Sequence, residues 1–129
     1  MLNSKGFVTK IREIILAGVD IDAVYSPDIA KNNLDKVCCV TLLDGETTDS
    51  LSSTNLYNTT PFRVLVRVKQ NDLEARELAD DIFNLLHLQR NVDFDTNHII
   101  NIIGTPPVYV SRDDNNRILY NITFNAQVE

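Results

Sequence analysis

Pro61-Phe62-Arg63-Val64-Leu65-Val66-Arg67-Val68-Lys69-Gln70 runs directly into Asn71-Asp72-Leu73-Glu74-Ala75-Arg76-Glu77-Leu78-Ala79-Asp80-Asp81-Ile82-Phe83-Asn84-Leu85-Leu86-His87-Leu88. The first segment has a period of two. Phe62, Val64, Val66 and Val68 fall on one face, and Arg63, Leu65, Arg67 and Lys69 on the other, which predicts a half-buried strand. Its second face, turned to solvent or to a partner, carries three positive charges. In the second segment the period changes to that of a helix. Ala75, Leu78, Ala79, Ile82, Leu85 and Leu86 make an apolar stripe with Phe83 at its margin, and Glu74, Arg76, Glu77, Asp80, Asp81 and Asn84 point outward. Asn71 is placed to cap this helix over 72–88, with Glu74 at the capping-box position. Asp72, Glu74 and Glu77 crowd the end where the helix dipole favours acids.

Working outward, residues 7–19 form a second amphipathic helix, with Phe7, Ile11, Ile14, Ile15 and Gly18 on one stripe. Ser4 is its candidate N-cap, and Gly18 marks its end. Val24-Tyr25 reads as a short strand before a Ser26-Pro27-Asp28 turn. Lys36 to Leu43 is β-branched and apolar and reads as a strand. Residues 44–60, rich in Ser, Thr, Asn and Asp, form a long polar loop of the length that is usually functional or mobile. After the second helix come strands at 99–103, 108–110 and 117–128, with Asp113-Asp114-Asn115-Asn116 as the turn before the last. On the last strand Ile122, Phe124, Ala126 and Val128 share one face, and Asn121, Thr123, Asn125 and Gln127 the other. The order helix, two strands, long loop, strand, helix, three strands predicts an α+β fold. In it a mostly antiparallel sheet carries both helices on one face, as a single domain over 1–129.

Composition narrows the function. The chain has 129 residues, enough for one domain with a real core. No stretch approaches the roughly 18 apolar residues that span a membrane, and the first residues do not read as a signal peptide, so synthesis in the cytoplasm is expected. The net charge of −6 argues against a protein that grips nucleic acid by its phosphates. Cys38 and Cys39 are adjacent, so on a strand they point to opposite faces and do not pair with one another. They read as small core or interface residues, and no His or Cys spacing suits a metal.

The sequence holds no catalytic motif. Four glycines offer little from which to build a phosphate-cradling loop. Asp80 and Asp81 diverge by roughly 100° round the helix. Asp113 and Asp114 belong to a turn that favours Asp for backbone reasons, and His87 and His98 stand alone. No enzyme activity and no cofactor are expected. The charges suggest instead a contact surface. Arg63, Arg67 and Lys69 on the strand complement Glu74, Glu77, Asp80 and Asp81 on the helix, an arrangement suited to head-to-tail contact between copies.

Two segments carry a more specific likeness. Residues 56–68, Leu56-Tyr57-Asn58-Thr59-Thr60 leading into the alternating strand, run on to Glu74-Ala75-Arg76-Glu77-Leu78-Ala79-Asp80-Asp81-Ile82-Phe83-Asn84-Leu85-Leu86-His87. Arg112-Asp113-Asp114-Asn115-Asn116-Arg117 then leads to Tyr120-Asn121-Ile122-Thr123-Phe124-Asn125. Together these resemble the minor capsid and tail-terminator proteins of siphophages and Gram-positive prophages. The likeness covers residues 56–129, and the first 55 share only the layout. Asn115-Asn116 stands where the family has Asn-Gly, a mild departure because Asn tolerates positive φ. The resemblance implies a structural virion protein of the tail or neck, made in the host cytoplasm. It would form a hexameric ring that caps the finished tail tube and joins it to the head–tail connector protein. DNA would pass through the lumen without specific binding, and the loop would be a candidate for ordering on contact with the tube protein. Two alternatives stay open on sequence: a head–tail connector or stopper in the neck, and a small ligand-binding α+β domain. Gene neighbourhood separates the first, and a deep pocket with convergent ionisable groups would revive the second.

Overall fold

The strand quoted above is the spine of the molecule. In the computed structural model, which describes residues 4–26, 28–29, 34–43, 58–69, 72–113 and 116–129, it pairs along its length with strands on both sides. The elements in chain order are α1 (Ser4–Gly18), β1 (Ala23–Tyr25), β2 (Lys36–Leu42), β3 (Asn58–Lys69), α2 (Asp72–Leu86), β4 (Arg90–Phe94), β5 (Asn97–Gly104), β6 (Val108–Arg112) and β7 (Arg117–Val128). They build one seven-stranded sheet in the order β1-β2-β3-β7-β5-β4, with β6 also paired to β7. Among the described residues only β1 and β2 are parallel, and every other pairing is antiparallel. The fold is therefore α+β, with a mostly antiparallel sheet.

Alternation sorts the side chains as expected. Phe62, Val64, Val66 and Val68 of β3 are fully buried, as are Ile122, Phe124 and Ala126 of β7. They join Phe7, Ile11 and Ile15 of α1 and Ala75, Leu78, Ala79, Ile82 and Leu86 of α2 in one core. Both helices thus lie on the same face of the sheet. Phe62 is the hub. Its ring stands edge-on to Phe7 at 5.4 Å and stacks on Phe124 at 5.1 Å, joining helix and two strands. Gly18 allows the two helices to close: a Cβ there would lie 2.6 Å from Leu85 Cδ2.

Two boundaries and one strand differ from expectation. Ser4 is the first helical residue of α1, so it lies inside the helix. The loop ends sooner, because Asn58, Thr59 and Thr60 pair with Val128, Gln127 and Ala126. Their polar character resembles a loop, but the ladder with β7 supplies their backbone partners. A whole strand, β4, was not expected. Arg90-Asn91-Val92-Asp93-Phe94 buries only Phe94 and is rich in poor strand formers. It forms because it folds back on β5 through a turn in which Asp95 takes φ 49°. The rest of the polar loop, 44–57, lies outside the described residues, as do the capping residue Asn71, Pro27 of the first turn, and Asp114-Asn115 of the last.

The helix end and the last turn both take positive φ. Leu88 leaves α2 at φ 69°, and the Gln89 side-chain Nε2 donates back to the Leu85 carbonyl at 2.8 Å, covering one of the helix's last acceptors. Asn116, in the position where glycine would be easiest, takes φ 60°. There Asp113 accepts from the Arg117 amide at 2.9 Å and from its guanidinium at 2.7 Å. Among the described residues no helix is long and apolar enough to cross a membrane.

Candidate functional site

The sheet's second face, away from the helices, carries the cations picked out from sequence. Arg63, Arg67 and Lys69 alternate there with Leu65, and Arg117 joins them opposite Lys69 on β7. They are not equally available. Lys69 is exposed and Arg63 half-buried, whereas Arg67 retains only 6% of its surface. Burial is the largest influence on the Arg67 guanidinium and lowers its pKa; Arg117 beside it acts in the same direction, and Asp113 and Tyr25 oppose them. Arg67 is therefore a packed residue as much as a surface charge, a distinction that alternation alone does not make. The Arg63 Nε and the Asn121 Oδ1 on this face are buried without a hydrogen-bond partner. The flanking Val37 and Cys39 are buried too, at 0% and 2%.

The acids lie on α2, which packs on the sheet's core face. Glu74, Glu77 and Asp81 on α2 line a recess of about 220 Å³ with Asp20, Lys36 and Leu78, at the lower end of β2. Lys36 reaches Asp20 at 3.9 Å. Asp80 turns aside to Arg76, also at 3.9 Å. Within one chain the structure gathers Glu74, Glu77 and Asp81 with Asp20 and Lys36.

The remaining ionisable groups serve the fold. Asp22 accepts from the amides of Asp35 and Lys36 at 3.2 and 3.0 Å, fixing the start of β2. His98 bridges to Asp93 at 2.5 Å and to Asn91 at 3.2 Å across β4 and β5. The Gly104 amide donates to His87 Nδ1 at 2.9 Å. Cys38 and Cys39 are free thiols on opposite faces, and burial is the main reason both pKa values are raised. A larger groove of about 470 Å³ runs between α1 and the β4–β5 turn, lined by Lys5, Lys10, Glu13, Asp93 and Asp95 with Phe94. Its charges belong to two solvated elements, and Lys10 pairs with Glu13 along the helix at 4.0 Å. No group of three or more His, Cys, Asp or Glu among the described residues is arranged to hold a metal ion.

What sequence reasoning missed is the exposed apolar strand β6. All five of its residues are exposed, with Val108 at 58%, Tyr109 at 54% and Val110 at 52%. Ile103 adds to the patch at 47%. Val108-Tyr109-Val110 reads as an ordinary strand, and only the topology reveals that, among the described residues, no layer covers it.

Comparison with known proteins bears on what such surfaces are for. No curated protein matches the chain. Among solved structures, a chain of the virion of a native gene transfer agent particle shares the fold at 13% identity and a TM-score of 0.66. The match covers 95% of this chain and 91% of that one. The model of a family described as bacteriophage tail terminator protein matches residues 8–129. The chain belongs to the bacteriophage tail terminator family and is a structural protein of a phage tail.

Proposed function

We propose that this protein closes with copies of itself into a ring, a hexamer as the family likeness implies, that caps the tail tube and joins it to the head connector. DNA passes through its lumen without specific binding, and the chain carries out no reaction of its own. The observation that carries the reading is the division of charge. Exposed acids Glu74, Glu77 and Asp81 collect beside Asp20 on the helix-bearing side of the sheet, and Lys69 stands opposite Arg117 on its second face. Complementary patches on one chain suit head-to-tail contact between copies, and such contacts repeated by rotation close into a ring.

Of the charges on the two elements, we assign Lys69, Glu74, Glu77 and Asp81 to subunit contact. Arg67 is spent largely on packing, Asp80 on its pair with Arg76, and Arg63 lies half-buried in mid-sheet. Native mass spectrometry of the purified chain and imaging of tails isolated with it test the proposal. A ring on the head-proximal end of the tail supports it. Lys69→Glu should weaken that ring while leaving the unfolding midpoint within about 0.5 kcal/mol, since a single exposed charge contributes little to the fold. Tails that end normally and lack the chain would refute the capping role.

A further inference from the structure

Among the described residues three strands have one neighbour each: β4 pairs with β5, and the two edges that share rungs are β1, paired to β2, and β6, paired to β7. The register places these two edges at the same height. Tyr25 lies on the rung of Cys39, Leu65, Asn121 and Val108. Val24 lies on that of Cys38, Val66, Tyr120 and Tyr109, and Ala23 on that of Val37, Arg67, Leu119 and Ser111. One rung further, Lys36, Val68, Ile118 and Arg112 align, and Asp22 bonds to the Lys36 carbonyl at 2.8 Å. Direction agrees as well. β1 runs with β2, and the steps to β3, β7 and β6 each reverse it, so β6 runs opposite to β1. Rotation about an axis along the strands preserves strand direction, so a neighbouring copy would bring its β1 to β6 antiparallel and without axial offset.

From this match, and resting on the ring proposed above, we infer that β6 of each subunit pairs with β1 of the next, so that the sheet continues round the ring. The occupant is a second copy of this chain, and three observations single it out. An exposed apolar edge strand such as Val108-Tyr109-Val110 is what folded proteins avoid unless something covers it. The two edges share rungs and have opposed directions, which an unrelated partner has no reason to match. The charges are complementary: exposed Asp20, Asp22, Asp28 and Asp35 surround β1, whereas exposed Arg112 ends β6 near Arg117. At the end of the seam Arg112 of one copy meets Asp22 of the next. Tyr109 and Val24 share the helix face, and Val108 and Tyr25 the other.

A double variant of the full chain, Ala23→Cys with Ser111→Cys, tests the seam. Residues opposite one another on antiparallel strands have Cβ atoms roughly 4.5–5.5 Å apart, near disulfide reach. Mild oxidation of assembled protein, whether purified rings or isolated tails, should give covalent multimers up to ring size on a non-reducing gel. Either single variant should stay monomeric, because Cys38 and Cys39 are buried. Tyr25→Cys with Val108→Cys is the second pair, should the first fail to fold. Arg112→Asp alone should raise the concentration for half-assembly about twofold to fivefold. Rings that form while neither pair cross-links would overturn the seam and leave the ring intact, as would cross-linking to the tail-tube protein instead. A chain found in no ring and no tail would overturn the function beneath it.

Discussion

Phe62→Ala is the sharpest test of how this fold is held together. Phe62 is fully buried, pairs in register with Leu42 and Phe124, and contacts the ring of Phe7 from α1. An aromatic side chain of this kind buries about 150–250 Å². At about 25 cal/mol per Å² that is about 4–6 kcal/mol as an upper bound, against an extended chain. Large-to-small aromatic substitutions measure about 3–5 kcal/mol once partial collapse of the cavity is included. The edge-on and stacked partners make the upper half of that range the expectation, because each ring pair adds about 0.5–1.5 kcal/mol beyond area. A loss near 4 kcal/mol is a large part of the roughly 5–15 kcal/mol that stabilises a domain. It should lower the melting temperature by about 10–20 °C for a chain of this size. Urea unfolding followed by circular dichroism reads the change as a shifted midpoint at constant slope. Leu16→Ala, at a residue 50% exposed, is the control and should move stability by less than about 0.5 kcal/mol. A loss below about 1.5 kcal/mol for Phe62→Ala, at unchanged slope, would refute the picture of one core joined through this ring.

Three further outcomes are expected. Leu88→Gly should stabilise the protein by about 0.5–1 kcal/mol in the same assay, because Leu88 is held at φ 69° and is 51% exposed, so strain is relieved and little burial is lost. His87→Phe keeps a ring to stack on Phe83 but removes the acceptor of the Gly104 amide, and should cost about 1–3 kcal/mol by urea titration. A thiol reagent should label neither Cys38 nor Cys39 in the folded protein and both in urea. Burial raises both thiol pKa values, so the reactive thiolate is scarce below that raised range and the groups are shielded as well. Prompt labelling of the native protein would contradict their placement.

The fold was legible where one side of an element is much more apolar than the other. β3 and β7 show strict alternation over long runs, and α2 carries an unbroken stripe, so local pattern and tertiary burial agree. β4 was not legible although its partner β5 follows directly, across the turn at Asp95 and Thr96. Val92 and Phe94 give it only two apolar residues in alternation, among Asn and Asp that local preference assigns to a turn. Thr59 and Thr60 failed for a different reason, because their partners lie near the end of the chain. The open turns were readable in kind but not in cost. Asn116 confirms that Asn takes the left-handed position, while Leu88 occupies one with no local signal, fixed instead by the bond of its amide to Ile102 at 2.7 Å.

The contact surface was legible only in its charges. Alternation places Arg63, Arg67 and Lys69 on one face but cannot tell which of them the rest of the chain will cover, and the structure separates a packed Arg67 from an exposed Lys69. The stronger surface, β6, could not be found that way at all. A strand's exposure depends on whether a layer lies over it, which is decided by topology: β5 and β6 divide one edge of β7, and the helices cover only the former. Charge on long, solvated side chains steers and orients association but contributes modestly to holding it. Apolar side chains and unpaired backbone at a strand edge gain more by being covered. If copies of this chain meet through both kinds of surface, the acids round β1 and the arginines by β6 set which edge approaches which, and the strand pair holds the contact. Loss of the apolar residues of β6 should then abolish rings that survive loss of any single charge.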